Sequence, residues 1–284
     1  VNRLSLSFDE PPENTTSLLP LKHDWTTCLI LSLSESIWIF SFSYTFLAST
    51  CSIYDVGGFI LIIWAPIKNG IENISLSANW MWPANNRGEN ARLYSAVKSV
   101  SDYAISLGVN IPTGKDSLSM TQKYPDGTKV LSPGTVIISA AAETSDIRNV
   151  IKPAAIKDSS SELVFINFCE GTNLSGSSFY QTLSNLGIDV TNTKGGEDIK
   201  KIFKTIQEMI ISNMIMSGHD ISSGGFITSI LEMNFPNLSH GMELNLDSFK
   251  EDDIIKILFN ESPGIIIQTH NDGINLSLIH ISEP

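Results

Sequence analysis

Residues 71–120 read IENISLSANWMWPANNRGENARLYSAVKSVSDYAISLGVNIPTGKDSLSM, and their periodicity sets the fold class. Ile71–Trp80 alternates in the manner of a strand. Glu89–Leu107 places Leu93, Val97, Val100, Ala104 and Leu107 three or four positions apart, the spacing of an amphipathic helix, and Gly108 suits its left-handed cap. Asn110–Pro112 then leads into a loop, Thr113–Ser117. The pattern next predicts a hairpin, Leu118–Tyr124 and Thr128–Leu131 around Pro125-Asp126-Gly127, and after it a buried strand, Thr135–Glu143.

Toward the C-terminus, Asp146–Glu162 is polar, holds Lys152-Pro153 and a run of Ser, and reads as a domain boundary. A second block follows. Leu163–Phe168 is a buried strand, Gly171–Ser178 a Gly/Ser loop opening a helix over Phe179–Leu186, and Asp198–Met216 a long helix with Ile199, Ile202, Phe203, Ile206, Met209 and Ile210 on its apolar face. The loop Ser217–Gly225 opens a helix over Phe226–Phe235, and Met242–Leu246, Asp252–Phe259 and Gly264–Thr269 close as strand, helix and strand. Strands and helices alternate in both blocks, so the expected class is α/β (α+β) with two small domains.

Toward the N-terminus the character changes. Cys28–Leu47 is nearly free of charge and alternates apolar residues with Ser through Leu31, Leu33, Ile37, Ile39, Phe42 and Tyr44. Period two predicts strand, and the Ser residues together with Glu35 argue against a membrane span. No basic stretch leads into a short apolar core with a small-residue cleavage site, so a signal peptide is not expected.

Lys plus Arg number 18 and Asp plus Glu 30, a net charge of −12, which argues against a nucleic-acid backbone as the main partner. With 42% hydrophobic and 17% charged residues the chain has material for a real core. Cys28, Cys51 and Cys169 are odd in number and far apart, which is neither a disulfide framework nor a zinc spacing, and fits a reducing compartment.

Three loops have the composition for chemistry. In Pro112–Met120, Gly114 would let backbone N–H groups approach an anion, Lys115 supplies positive charge and Asp116 has the oxygens for a cation. It is not a Walker A loop, and alone a Gly-Lys-Asp-Ser stretch is most simply a turn. In Gly218–Gly225 (GHDISSGG), small residues open a helix, which suits phosphate, and Asp220 offers the hard oxygen that Mg²⁺ takes. The alternative is that Ser222 or Ser223 caps the helix. In Leu174–Ser178 capping is the simpler reading. Cys169 has no His nearby in sequence, which argues against a nucleophile. Trp80 and Trp82 read as core or a packed strand end, and Glu251-Asp252-Asp253 as the acidic first turn of a helix.

Leu76–Pro83 (LSANWMWP), Gly88–Ala104, Leu107–Met120 (LGVNIPTGKDSLSM), Ser132–Glu143 (SPGTVIISAAAE) and Gly218–Phe226 (GHDISSGGF) together resemble the large, multidomain form of phosphoribosylformylglycinamidine synthase, from about Trp64 to Thr269. The resemblance implies an N-terminal half-barrel-type α/β domain, placed at 62–148, and a C-terminal α/β domain, 149–270, of the aminoimidazole-ribonucleotide-synthetase-like superfamily. It implies the second of the family's two such pairs, without the first pair or the glutaminase. Residues 1–61 show no likeness and read as a possible frame-shift product; 271–284 end in a stretch like a translated sequencing adapter.

The activity implied is that of a cytoplasmic ligase of purine biosynthesis, the ATP- and glutamine-dependent amidation of formylglycinamide ribonucleotide. The ligands implied are ATP or ADP with Mg²⁺. By motif, Asp220 resembles the metal ligand, Ser222 a nucleotide contact, and Lys115 and Asp116 the loop beside the nucleotide. The family's Glu-Ala-Leu-Thr-Asn, which supplies further Mg²⁺ ligands, is replaced by Gly57–Leu61 (GGFIL), so the isolated chain is expected to be inactive. The alternative is a non-catalytic nucleotide-binding or structural module, self-associating through the half-barrel edge. A third reading, a thiamine-phosphate kinase of the same superfamily, is opposed by LSANWM.

Overall fold

The computed structural model describes residues 2–7, 29–33, 36–46, 62–189, 191–237 and 241–270. In chain order the first part holds β1 (Asn2–Ser7), β2 (Leu29–Leu33), β3 (Ser36–Phe46), β4 (Ser75–Met81), α1 (Glu89–Leu107), β5 (Asn110–Ser117), β6 (Thr121–Lys123), β7 (Lys129–Leu131) and β8 (Thr135–Thr144). The second part holds β9 (Ser161–Asn167), β10 (Cys169–Glu170), α2 (Ser178–Thr182), β11 (Asn192–Thr193), α3 (Gly196–Ile211), β12 (Ile215–Asp220), α4 (Gly225–Asn234), β13 (Glu243–Leu244), α5 (Ile254–Phe259) and β14 (Gly264–His270).

Two five-stranded sheets result. The first runs β2-β3-β8-β4-β5, antiparallel except for the parallel pair β4/β5. The second runs β12-β14-β9-β1-β13 and is antiparallel throughout. The first sheet keeps a clean alternation: Leu76 and Ala78 of β4 and Val136, Ile138, Ala140 and Ala142 of β8 are buried, while the residues between them are half-exposed. The second is covered on both faces, which is why Leu163–Ile166 and Ile265–Ile267 read as unbroken apolar runs.

One core joins both sheets. α1 contributes Ala96, Ala104 and Leu107, and α3 contributes Ile199, Ile202, Phe203, Ile206, Met209 and Ile210, packed with Val164, Ile166, Ile265 and Ile267 of the second sheet. The other face of that sheet, with Leu163, Phe165, Ile266 and Leu4 of β1, is covered by Phe226, Ile230 and Met233 of α4. Two buried glutamines bind backbone across the core. Gln207 accepts from Ile67 N–H (2.7 Å) and donates to Ile63 O (2.8 Å). Gln268 does the same with Ile156 N–H (2.8 Å) and O (2.7 Å).

Several expected elements shift. Thr113–Ser117 is not a loop but the second half of β5, bonded to β4 from Ser77↔Thr113 to Met81↔Ser117. It is an edge strand with most side chains in solvent, so it carries no apolar alternation. Of the strand expected over Leu118–Tyr124, only Thr121–Lys123 forms β6. The helix expected over Phe179–Leu186 ends at Thr182, because Ser184 (φ 54°) and Gly187 (φ 70°) turn the chain left-handed. The helix expected to reach Met216 stops at Ile211, where Asn213 (φ 54°) reverses the chain and Ile215 begins β12.

The segment before residue 62, which showed no family likeness in the sequence, contributes three strands. β1 lies between β9 and β13, and β3 pairs with β8 from Ile37↔Thr144 to Phe46↔Thr135. The period-two reading of 28–47 thus matches β2 and β3. Gly57–Leu61 and the 271–284 tail lie outside the described residues. Among the described residues no helix is long and apolar enough to cross a membrane.

Candidate functional site

β12 is an edge strand of the second sheet, bonded to β14 from Ile215↔Thr269 to Asp220↔Ile265. So the first part of the expected loop, up to Asp220, is strand, and only Ile221–Gly224 bridges to α4. Gly218 has no room for a side chain, since a Cβ there would lie 2.2 Å from the Trp64 ring. The Asp220 carbonyl accepts from Ser229 Oγ on α4 (2.9 Å) and from His219 Nδ1 (2.7 Å), which fixes the strand-to-helix corner. His219 Nε2 lies 3.3 Å from Glu232 of α4, so this histidine is packed and partnered.

Beyond Asp220 the backbone donors divide into two sets. Ile221 N–H goes to Gly264 O and Gly225 N–H to Ser222 O. Gly224 N–H goes to the Glu261 carboxylate (2.7 Å). Among the described residues the N–H groups of Ser222 and Ser223 have no partner. Gly224 (φ 90°) and Gly225 (φ 77°) are consecutive left-handed residues, and a Cβ on Gly225 would lie 2.6 Å from the Phe259 carbonyl carbon. Neither Ser222 nor Ser223 caps α4. Its N-cap is Gly224, without a side-chain bond.

The third loop behaves as the simpler reading expected: Ser177 caps α2, accepting from Tyr180 N–H (3.2 Å) and donating to Leu174 O (2.6 Å). The second and third loops nevertheless meet. Glu261 Oε1 accepts Ser178 N–H (2.8 Å) as well as Gly224 N–H. Glu261 was not singled out from the sequence; the only signal is the polar break Asn260-Glu261-Ser262-Pro263 between two apolar runs.

Lys115 and Asp116 stand elsewhere, on the exposed edge strand β5, opposite Asn79 and Trp80. Lys115 Nζ is 3.1 Å from Ser117 Oγ. Among the described residues no hydrogen bond or ion pair joins Lys115 or Asp116 to Asp220 or Ser222; Lys115 and Asp116 lie in the first sheet, Asp220 ends a strand of the second and Ser222 follows it in the turn. Trp82 is core, with the Arg92 guanidinium 5.7 Å from its ring. Asp253 caps α5 through Ile255 N–H (3.0 Å). Burial pushes the Cys169 thiol up to about 12, so it is a neutral core group at physiological pH.

Among the described residues no group of three or more His, Cys, Asp or Glu is placed to hold a metal ion. Asp220 alone supplies one carboxylate, which fits Mg²⁺ when phosphate and water complete the octahedron and does not fit a site made by protein alone.

Comparison with known proteins gives the rest. Residues 51–143 match the FGAR-AT PurM_N-like domain, and residues 173–270 match the AIR synthase related protein C-terminal domain. The probable phosphoribosylformylglycinamidine synthase of Caenorhabditis elegans is 34% identical over 74% of this chain. The chain belongs to the phosphoribosylformylglycinamidine synthase family. It spans 17% of the length of that family relative. The family match begins at residue 51, inside the stretch that showed no likeness in the sequence. Solved structures share the fold at low identity. T. maritima PurL complexed with FGAR has a TM-score of 0.63 at 12% identity, covering 90% of this chain and 42% of that one. T. maritima PurL complexed with ADP has 0.58 at 14%, covering 93% and 41%.

Proposed function

We propose that the chain is the second nucleotide-binding half of a phosphoribosylformylglycinamidine synthase, with domains over 62–148 and 149–270, and that Gly218–Gly225 receives the phosphates of ATP or ADP. The observation that carries this is the pair of unpartnered N–H groups at Ser222 and Ser223, between the Asp220 carboxylate and the head of α4. Such donors, aligned with a helix dipole, are the usual anion receptor. In this reading Asp220 holds Mg²⁺, Ser222 contacts the nucleotide, and Lys115 and Asp116 line its approach from the first sheet. Mg²⁺ would neutralise phosphate charge. The relatives' names and ligands support the reading, since PurL structures carry ATP and ADP.

The whole enzyme would amidate formylglycinamide ribonucleotide in the cytoplasm. ATP would activate the formyl amide oxygen, and ammonia released from glutamine by a glutaminase domain would displace phosphate. Those steps need the other half and the glutaminase. Isothermal titration with Mg·ADP tests the part assigned here. Binding in the millimolar range or tighter is expected, weakened about tenfold in Asp220→Ala. No heat from a folded sample would sink the assignment.

A second reading, a non-catalytic structural module, is favoured by one observation: β5 ends its sheet with its outer edge unpaired among the described residues. An open edge invites a partner, and a second copy is one candidate. It predicts a dimer by light scattering and no turnover with ammonia as nitrogen source. Turnover by the isolated chain contradicts it.

A further inference from the structure

We propose that Glu261 is a positioning residue for the nucleotide loop, acting as a hydrogen-bond acceptor that ties the head of α4 to the Gly/Ser loop before α2. The inference rests on the phosphate role proposed for Gly218–Gly225 and adds the residue that gives that loop its shape.

The two loops are remote in sequence and have separate local structures. Leu174–Ser177 closes on itself through Ser177, whose hydroxyl both caps α2 and returns to Leu174 O. Ile221–Gly225 closes through backbone, Gly225 N–H to Ser222 O, with no side-chain cap. Its N-cap is a glycine with no side chain to offer, and both serines before it leave the cap position empty. One oxygen of Glu261, from the turn between α5 and β14, accepts the N–H of the N-cap residue Gly224 itself and at the same time holds Ser178 N–H. The residues around it fix its own position. Asn260 accepts Ser262 N–H (2.9 Å), Ser262 Oγ bonds Thr191, and Pro263 O takes Phe168 N–H. Glu261 is thus presented by a braced turn, at 2.7 and 2.8 Å from donors on two other segments.

This arrangement sorts the loop's donors. Gly224 N–H is spent on Glu261 and Gly225 N–H on Ser222 O, while Ser222 and Ser223 N–H are left for a ligand. Gly224 holds a φ of 90°, a region in which glycine is permissive, and its own N–H is fixed by the Glu261 oxygen. If the acceptor is lost, the corner keeps only the Gly225 N–H bond to Ser222 O, and the backbone that carries the Ser222 and Ser223 donors is held less closely.

Two variants separate reach from charge. Glu261→Gln keeps an oxygen of the same reach and drops the charge; Glu261→Asp keeps the charge and shortens the arm by one methylene. Amide hydrogen exchange at Gly224 and Ser178 reads the positioning without any ligand, and Mg·ADP titration reads its consequence. The expected result is that Gln retains protection at both amides and an ADP affinity within about threefold of the parent chain, while Asp loses protection at one amide or both and binds about tenfold more weakly.

Unchanged exchange in Glu261→Asp overturns the positioning role. A Gln variant as weak as Asp overturns the acceptor role in favour of charge. Lost protection with unchanged ADP affinity overturns the link to nucleotide. A parent chain that protects both amides yet binds no ADP overturns the phosphate reading of the loop and leaves Glu261 as scaffold only, an outcome distinct from the others.

Discussion

Gln268→Leu is expected to melt about 10 °C below the parent chain by circular dichroism. Gln268 is fully buried and uses all of its polar capacity. Its Oε1 accepts from Ile156 N–H and from Ser217 Oγ (2.9 Å), and its Nε2 donates to Ile156 O and to Ser161 Oγ (2.8 Å). Leucine has similar volume, so the loss is not a cavity. It is the desolvation left on the Ile156 N–H and carbonyl and on the Ser217 hydroxyl, each about 1–3 kcal/mol when orphaned. A total of about 3–4 kcal/mol, at roughly 2–4 °C per kcal/mol for a chain of this size, gives the expected shift. Ser217 lies on β12 three positions before Asp220, so the variant also loosens the strand that carries the candidate ligand. A melting point within about 2 °C of the parent would show that these groups find water or new partners.

Gly114→Ala is the second large effect, and its cause differs from the one suggested by composition. In the sequence, Gly114 looked like a residue that lets amides approach an anion. In the fold it lets two strands approach each other: a Cβ at that position would sit 2.2 Å from the Ala78 carbonyl oxygen and 3.1 Å from its carbon. Both are backbone atoms and cannot rotate aside. β5 must move away from β4 and give up the parallel ladder that ends at Met81↔Ser117. About 3 kcal/mol or more is expected in urea unfolding, with Lys115 and Asp116 displaced along with the strand. Unfolding midpoints equal to the parent's would disprove the close approach.

What the sequence conveyed follows from which interactions are local. α1 was legible because most of its stripe and its glycine cap lie within one stretch: Val100, Ala104 and Leu107 are buried and Gly108 closes the helix (φ 72°), although Ala96 is buried where Val97 was expected and Val97 is exposed. β8 was legible as an apolar run, Thr135–Glu143, though from Val136 onward only alternate residues of it are buried. β5 was not, since an exposed edge strand of polar residues has the composition of a turn and is strand only because β4 lies beside it. The end of α3 was missed because Ile215 and Met216 extend its apolar pattern, and one left-handed asparagine overrides the period. For the site, the motif containing Asp220 and Ser222 was visible, but the acceptor shaping it was not. Glu261 is 37 residues from Gly224 and 83 from Ser178, and no local pattern encodes a contact at that distance. The separate placement of Lys115 and Asp116 was equally out of reach, because it depends on which sheet each strand joins.

The position of β1 between β9 and β13 also bears on how the protein is made. On a ribosome adding roughly 5–20 residues per second, β1 emerges about 150 residues ahead of β9, on the order of ten seconds or more before any strand exists to receive it. Leu4, later in the core, spends that interval in water. β13 comes later still, and only then are both sides of the hexapeptide closed. The second sheet therefore cannot be finished during synthesis in the order in which it is written. β1, the interior strand between β9 and β13, waits longest, and any chaperone that shelters nascent apolar segments has a defined window in which to hold it.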